Sequence, residues 1–241
     1  MNTFAFTFAT IPDVNAGRKL YTLETLNDKN IAEVMFHRQR QLKGNEQLPL
    51  HQQQIVAFSA VLRTADSVKM ITLDERDGGE LALLQQFFAL MEKHAPMLVC
   101  WNGAAFERPI MHCRSMFHGI GSNHYWHNNT HHVDLATQFA GSHPEGVAPL
   151  DEIATLLDLP AKTETANNWD RYQAGELASI HNDCTTDTLN TYLIHLRLQL
   201  VSGRLLPERY RAECQKLREL LQHQENPHID LYLKRWAGGA V

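Results

Sequence analysis

The chain has 241 residues, 44% of them hydrophobic and 20% charged, the balance of a globular protein with one large domain or one domain with extensions. No apolar run approaches the roughly 20 residues that cross a bilayer, and the first residues lack a basic-then-apolar leader, so no membrane partner and a cytoplasmic location are expected. The net charge of −5 argues against a generally basic surface for coating nucleic acid, although it is compatible with a local basic groove, because the field at a cleft follows the distribution of charge.

In chain order, FAFTFATIPD (4–13) opens a strand predicted over residues 3–10. The two-residue repeat places Phe4, Phe6 and Phe8 on one face and Ala5, Thr7 and Ala9 on the other. FHRQRQLKGNEQLPLHQQQ (36–54) reads as a polar, partly basic insertion. QIVAFSAVL (54–62) and VKMITL (68–73) are the next strands, and three strands in succession predict an antiparallel meander. GGELALLQQFFALMEKHAP (78–96) is an amphipathic helix stopped before Pro96. MLVCW (97–101) is a fourth strand, followed by a helix from Ala104 to Met116 and a short strand around HHVDL. The rest is helical, over 149–158, 174–201, 207–223 and 227–236. This succession predicts an α/β fold, and a ribonuclease H-like arrangement is one candidate among several. The four cysteines, Cys100, Cys113, Cys184 and Cys214, are dispersed without a C-x-x-C pair, as expected of reduced thiols.

Three segments carry chemistry-bearing residues. In VCWNGAAFERPIM (99–111) a strand ends at Trp101, and a turn through Asn102 and Gly103 starts a helix carrying Phe106 and Glu107. A carboxylate just past a strand end sits where open α/β sheets bind ligands, though the helix dipole alone also favours a glutamate there. In IHNDCTTDTLNTYLIHL (180–196), Ile180, Cys184, Asp187, Thr191 and Ile194 form one helical stripe with Leu198. Asp187 therefore interrupts an otherwise apolar or weakly polar face, where a charge needs a cation, a hydrogen-bond partner or a metal. Asp183, one turn earlier, faces the same side. In HHVDLATQ (131–138), Asp134 reads as the cap of the following helix.

The histidine-rich stretch 112–132 contains an H-x-x-H at His124 and His127, but its spacings match no zinc signature and it reads as a polar loop. LPERYRAECQKLRELL (206–221) reads as a basic surface helix. Together with the 36–54 segment it is either solvated surface or one of two phosphate-contacting patches beside a cleft.

The order FTFAT, NGAAFE and DCTTDTLNT resembles the predicted 3′–5′ exonucleases related to the proofreading domain of B-family DNA polymerases, which are DEDD-type enzymes with a ribonuclease H-like fold. The likeness extends to LDEIATLLDLPAK (150–162) and YLIHLRLQLVSGRL (192–205). It implies a mixed central sheet, three antiparallel strands and then parallel ones, flanked by helices and ending in a helical C-terminal part. The implied division is an exonuclease-type domain over 1–205 and a packed helical extension over 206–241.

In that family the first motif supplies Asp and Glu, the second reads N-G-x-x-F-D and the third Tyr-x-x-x-Asp. Here Thr7 and Ala9 stand at the first pair, Glu107 replaces the second motif's Asp, Asp183 replaces the tyrosine, and Asp187 matches the last Asp. The resemblance makes Asn102 and Phe106 substrate-contacting positions and Glu107, Asp183 and Asp187 the remaining catalytic candidates. Of these, Glu107 and Asp187 are the metal candidates. Such enzymes hold two Mg²⁺ or Mn²⁺ ions ~3.5–4 Å apart, and hard cations need several anionic oxygens. A hydroxyl and a methyl in the first motif predict weak or absent metal binding. The expectation is an inactive or weak relative, a pseudoenzyme that binds single-stranded nucleic acid or a protein partner through the cleft. The alternatives are a rewired exonuclease on single-stranded DNA or RNA, with a relocated one-metal site at Glu107, Asp183 and Asp187, and a protein-interaction scaffold.

Overall fold

The computed structural model describes residues 2–127, 132–141, 148–162 and 166–236. Strand β1 (Thr3–Pro12) leads into helices α1 (Val14–Tyr21) and α2 (Asp28–Lys43), then strands β2 (Gln53–Arg63) and β3 (Val68–Asp74). Helix α3 (Gly79–His94), strand β4 (Met97–Cys100), helices α4 (Glu107–His118) and α5 (Asn123–His127) and strand β5 (His132–Asp134) complete the sheet region. The chain continues through α6 (Leu135–Ala140), α7 (Leu150–Leu156), α8 (Asn168–Gln173), α9 (Leu177–Val201), α10 (Pro207–Gln222) and α11 (Pro227–Arg235). The strand order is β3-β2-β1-β4-β5. β1 and β3 run antiparallel to β2, whereas β4 runs parallel to β1 and β5 parallel to β4. This is the mixed α/β sheet of the ribonuclease H-like fold, with β1 at its centre.

The alternation of β1 sorts its side chains between two layers. Phe4, Phe6 and Phe8 enter a core with Phe58, Phe87 and Ile110, where Phe6 and Phe87 lie 5.2 Å apart between ring centroids. Such aromatic contacts add about 0.5–1.5 kcal/mol each beyond area burial. The opposite face is made of small residues: Thr7 pairs with Ser59 of β2 and Ala9 with Ala57. A face this shallow admits a helix closely, and α9 lies across it. Cys184 Sγ donates to the Thr7 carbonyl at 3.3 Å and Thr188 Oγ1 to the Ser59 carbonyl at 3.2 Å. Beyond α9, Tyr210, Leu217, Ile229 and Tyr232 of α10 and α11 share one core with Ala5, Val61 and Tyr192.

The 36–54 segment lies between β1 and β2 and is mostly exposed, as expected, but it is not a free-standing insertion. Its first half belongs to α2, capped by Asn27 at its start and by Gly44 in the left-handed conformation at its end. The buried positions of α2, Ile31, Ala32 and Met35, precede the polar stretch, so the helical period is cut when that stretch is read alone. Gly17 of α1 sits against them: a Cβ there would come within 2.8 Å of Ile31. The first two strands therefore pair antiparallel across two helices rather than through a hairpin. α10 has an exposed face of mixed charge, with Arg209, Arg211 and Lys216 beside Glu208 and Glu219, and one buried face, with Tyr210, Cys214, Leu217 and Leu221 inward.

A buried ion cluster ties α1, α3 and α4 together. Arg114 donates to Asp13 at 2.7 Å and to both oxygens of Glu80, and Glu80 also accepts the Ile55 backbone N–H at 2.7 Å. The Asp13 and Glu80 side chains are only 10% and 11% exposed. Removing one partner of such a pair leaves uncompensated buried charge, so Arg114→Ala is expected to cost about 3–5 kcal/mol in urea denaturation. A loss below about 1 kcal/mol, the range of exposed pairs, would contradict this.

Candidate functional site

The carboxyl end of β4 and the middle of α9 bring the second and third motif segments beside β1. Past Cys100 the chain turns through residues 101–106, where the Asn102 carbonyl accepts the Phe106 N–H at 2.9 Å. Gly103 is needed here because a Cβ would sit 3.0 Å from that of Cys100. Asp134 caps α6 through the Thr137 N–H at 2.9 Å, as expected, and its other oxygen accepts the Ala104 N–H at 2.7 Å. This grip on the turn delays the start of α4 from the predicted Ala104 to Glu107. Asn102 and Phe106 are half-buried at the lip of the site.

Three carboxyl groups converge on this region, and each meets a different fate. Glu107, the first residue of α4, points inward and is 3% exposed. Its Oε2 has no hydrogen-bond partner among the described residues. Burial, with smaller contributions from the charges of Asp134 and Asp187, pushes its pKa up to about 8, so Glu107 is mostly protonated at neutral pH.

Asp187 accepts Lys162 Nζ at 2.7 Å on Oδ2, while its Oδ1 has no partner among the described residues. Burial outweighs the lysine and holds its pKa at about 6. Lys162 also lies 3.7 Å from Asp151. Burial works against its charge, but Asp187 and Asp151 keep its pKa above the ordinary lysine value.

Asp183 has a different partner. Its Oδ2 pairs with Arg171 Nη1 at 2.7 Å, and the same guanidinium donates to Asn168 Oδ1. The structure thus brings Glu107 and Asp187 to one site and draws Asp183 to α8.

On β1, Thr7 and Ala9 are each 8% exposed, and Ala9 packs with Ala57, Ile180 and Cys184. The face that would carry the first motif is apolar apart from one hydroxyl. Sequence reading missed Lys162 and Arg171. The only local hint of Lys162 is a lone cation after Pro160, and its partner lies 25 residues away.

Much of the described part of the histidine-rich segment is helical, in α4 and α5, rather than a polar loop. His112 shares a hydrogen bond with the Tyr125 hydroxyl at 3.0 Å and packs against Trp126 with the rings tilted by 40°, and His118 bonds Glu80 at 2.8 Å. Residues 128–131, with His131, lie outside the described residues. Among the described residues no three His, Cys, Asp or Glu side chains are grouped to hold a metal, and no helix is long and apolar enough to cross a membrane.

A family described as predicted 3′–5′ exonuclease related to the exonuclease domain of PolB matches residues 45–236. The chain belongs to this family. The matched segment contains Asn102, Glu107, Asp183 and Asp187 and runs through α10 and α11, whereas β1 with Thr7 and Ala9 precedes it. Searches of curated proteins and of solved structures returned no match.

Exonuclease families of this kind generally use divalent metals. The donor set here does not fit a pair of them. Such ions need several anionic oxygens, and this site presents a hydroxyl, a methyl, a protonated glutamate and an aspartate engaged by an ammonium group, while nearby Asp134 holds the Ala104 and Thr137 amides.

Two outcomes test these electrostatics. A folded-state pKa of about 8 for Glu107 lies above the ordinary carboxyl value. Its stabilising contribution is therefore complete below about pH 4.3 and lost as pH rises toward 8. Glu107→Gln should flatten the decline in stability between pH 5 and 8 by on the order of 2–4 kcal/mol in urea denaturation; parallel profiles would show an ionised Glu107. Lys162→Met removes the nearest cation from Asp187, and carboxyl ¹³C titration should then find the Asp187 pKa above its present value of about 6; an unchanged or lower value would contradict the pairing.

Proposed function

We propose that this chain is a catalytically silent member of the exonuclease family that binds single-stranded nucleic acid through the inherited cleft. One observation carries the reading. At the centre of the sheet β1 offers Thr7 and Ala9 to α9, while Asp187, the one family aspartate kept in kind, already holds Lys162 at 2.7 Å. A two-metal displacement at a phosphodiester depends on ions fixed by carboxylates on both elements, and the strand supplies none.

Strand binding is supported by the surroundings of the cleft. The N-terminal turn of α4 lies beside half-buried Asn102 and Phe106, with exposed Arg108 next to them. Helix N-termini and arginines are phosphate-recognition elements, and an aromatic ring is a platform for an unpaired base. Whether DNA or RNA is preferred depends on contacts to the 2′-hydroxyl.

A second reading has one observation in its favour. Glu107 Oε2 and Asp187 Oδ1 are both buried without hydrogen-bond partners among the described residues. Two such oxygens favour a residual site for a single cation and, with it, a slow rewired exonuclease.

Incubation with Mg²⁺ or Mn²⁺ separates the two readings. The silent reading expects a labelled single strand to remain full length; progressive shortening, abolished by Asp187→Asn, would overturn it in favour of the second. Fluorescence anisotropy should show strand affinity falling steeply with added salt, because phosphate contacts release counterions. Absent or salt-insensitive binding would move the function to another surface. The double substitution Thr7→Asp, Ala9→Glu is expected to raise Mn²⁺ affinity, measured by titration calorimetry.

A further inference from the structure

A cavity of about 310 Å³ opens beside the site, between the face of α9 that carries Asn182 and Asp183, the α11 residues Leu231 and Arg235, and the chain leading to Lys162. Lys162 belongs to both places. It lines this cavity while its ammonium group holds Asp187.

Most charges around the cavity are already matched. Asp183 is paired with Arg171, and Lys162 with Asp187. His228 shares a hydrogen bond with Thr186 Oγ1 at 2.9 Å, and burial keeps its pKa below the ordinary histidine value, so it is neutral near pH 7. The Arg235 guanidinium and the Asn182 amide make no hydrogen bond or ion pair with their side chains among the described residues, and Arg235 is exposed. Leu231, 44% exposed, supplies an apolar wall beside them.

A guanidinium without a partner among the described residues, one amide and one apolar wall match a ligand with a single phosphate joined to a flat ring system. A guanidinium presents a planar fork that suits phosphate oxygens, and the volume lies at the small end of the ~300–1,000 Å³ range of ligand pockets, room for one nucleotide rather than a strand. We propose that this cavity binds a nucleoside monophosphate, its phosphate on Arg235 and Asn182 and its base against Leu231. The inference deepens the reading of the cleft as nucleic-acid-binding and rests on it for the choice of a nucleotide over other phosphate monoesters.

Calorimetric titration of the whole chain with adenosine monophosphate, adenosine and inorganic phosphate tests it. Adenosine monophosphate should bind on the order of tenfold or more tighter than adenosine, and Arg235→Met should remove most of that difference, as loss of a charge-assisted pair requires. Arg235→Lys should keep part of it. Unchanged thermal unfolding of both variants would show that the fold is intact. No binding of adenosine monophosphate, equal binding of adenosine, or full binding by Arg235→Met would each overturn the proposal.

Competition identifies the source of the phosphate. A single strand with a terminal phosphate that displaces adenosine monophosphate, when the same strand without it does not, assigns the cavity to strand ends. Failure of both strands to displace it assigns the cavity to free nucleotide. Strand anisotropy on the same preparations keeps the two readings apart: strand binding that survives Arg235→Met while nucleotide binding is absent sinks only the cavity, and the reverse sinks only the cleft.

Discussion

The close seating of α9 on the small-residue face of β1 and β2 sets the geometry of everything around it. Ala5, Thr7 and Ala9 alternate with three phenylalanines, and Ala57 and Ser59 lie beside them on the next strand. A helix can approach such a surface closely enough for Cys184 and Thr188 to bond strand carbonyls. Interiors packed at crystal-like density leave little slack, so this contact determines where Asp187 emerges. The same alternation aims the side chains of residues 7 and 9 at the helix, and any carboxylate restored there would enter an interface now filled by alanine and threonine methyl groups.

Three carboxyl groups around that interface show how a protein copes with acidic groups that a cation does not hold together. Glu107 takes up a proton because its surroundings cannot solvate a charge. Asp187 keeps a lysine at hydrogen-bond distance, and Asp183 swings to an arginine on α8. Each response follows from the cost of burying an isolated charge, which exceeds the cost of changing its protonation state or ordering a counter-ion. The outcome is a site close to neutral where the family's chemistry requires concentrated negative charge. Nothing in the packing of the sheet depends on that chemistry. The aromatic core under β1 and the α10–α11 layer over α9 are apolar.

Much of this architecture was legible along the chain. The period-two pattern of residues 4–9 located the faces of β1 correctly, and the three motif-like segments pointed to the family. The stripe through Ile180 and Cys184 picked out residues of α9 that pack against β1, but α9 is buried on most sides between Cys184 and Leu196. Local reading failed where a signal was short or divided. Helices α5, α6 and α8 span too few turns to show a period. α2 was missed because its buried residues and its polar stretch were read apart.

By itself, then, the sequence determined which residue types face which layer and that β1 carries no acidic side chain at positions 7 and 9, because side-chain alternation and identity are local properties. Only the tertiary structure decided that Lys162 reaches Asp187, that Arg171 claims Asp183, that Arg114 joins Asp13 to Glu80, and that α11 closes a cavity beside the site. Lys162 and Asp187 are 25 residues apart, Arg171 and Asp183 12, Arg114 and Asp13 101, and Arg114 and Glu80 34.

 Pairing between groups so far apart along the chain depends on how the layers come together in space, and no local pattern of residues encodes that.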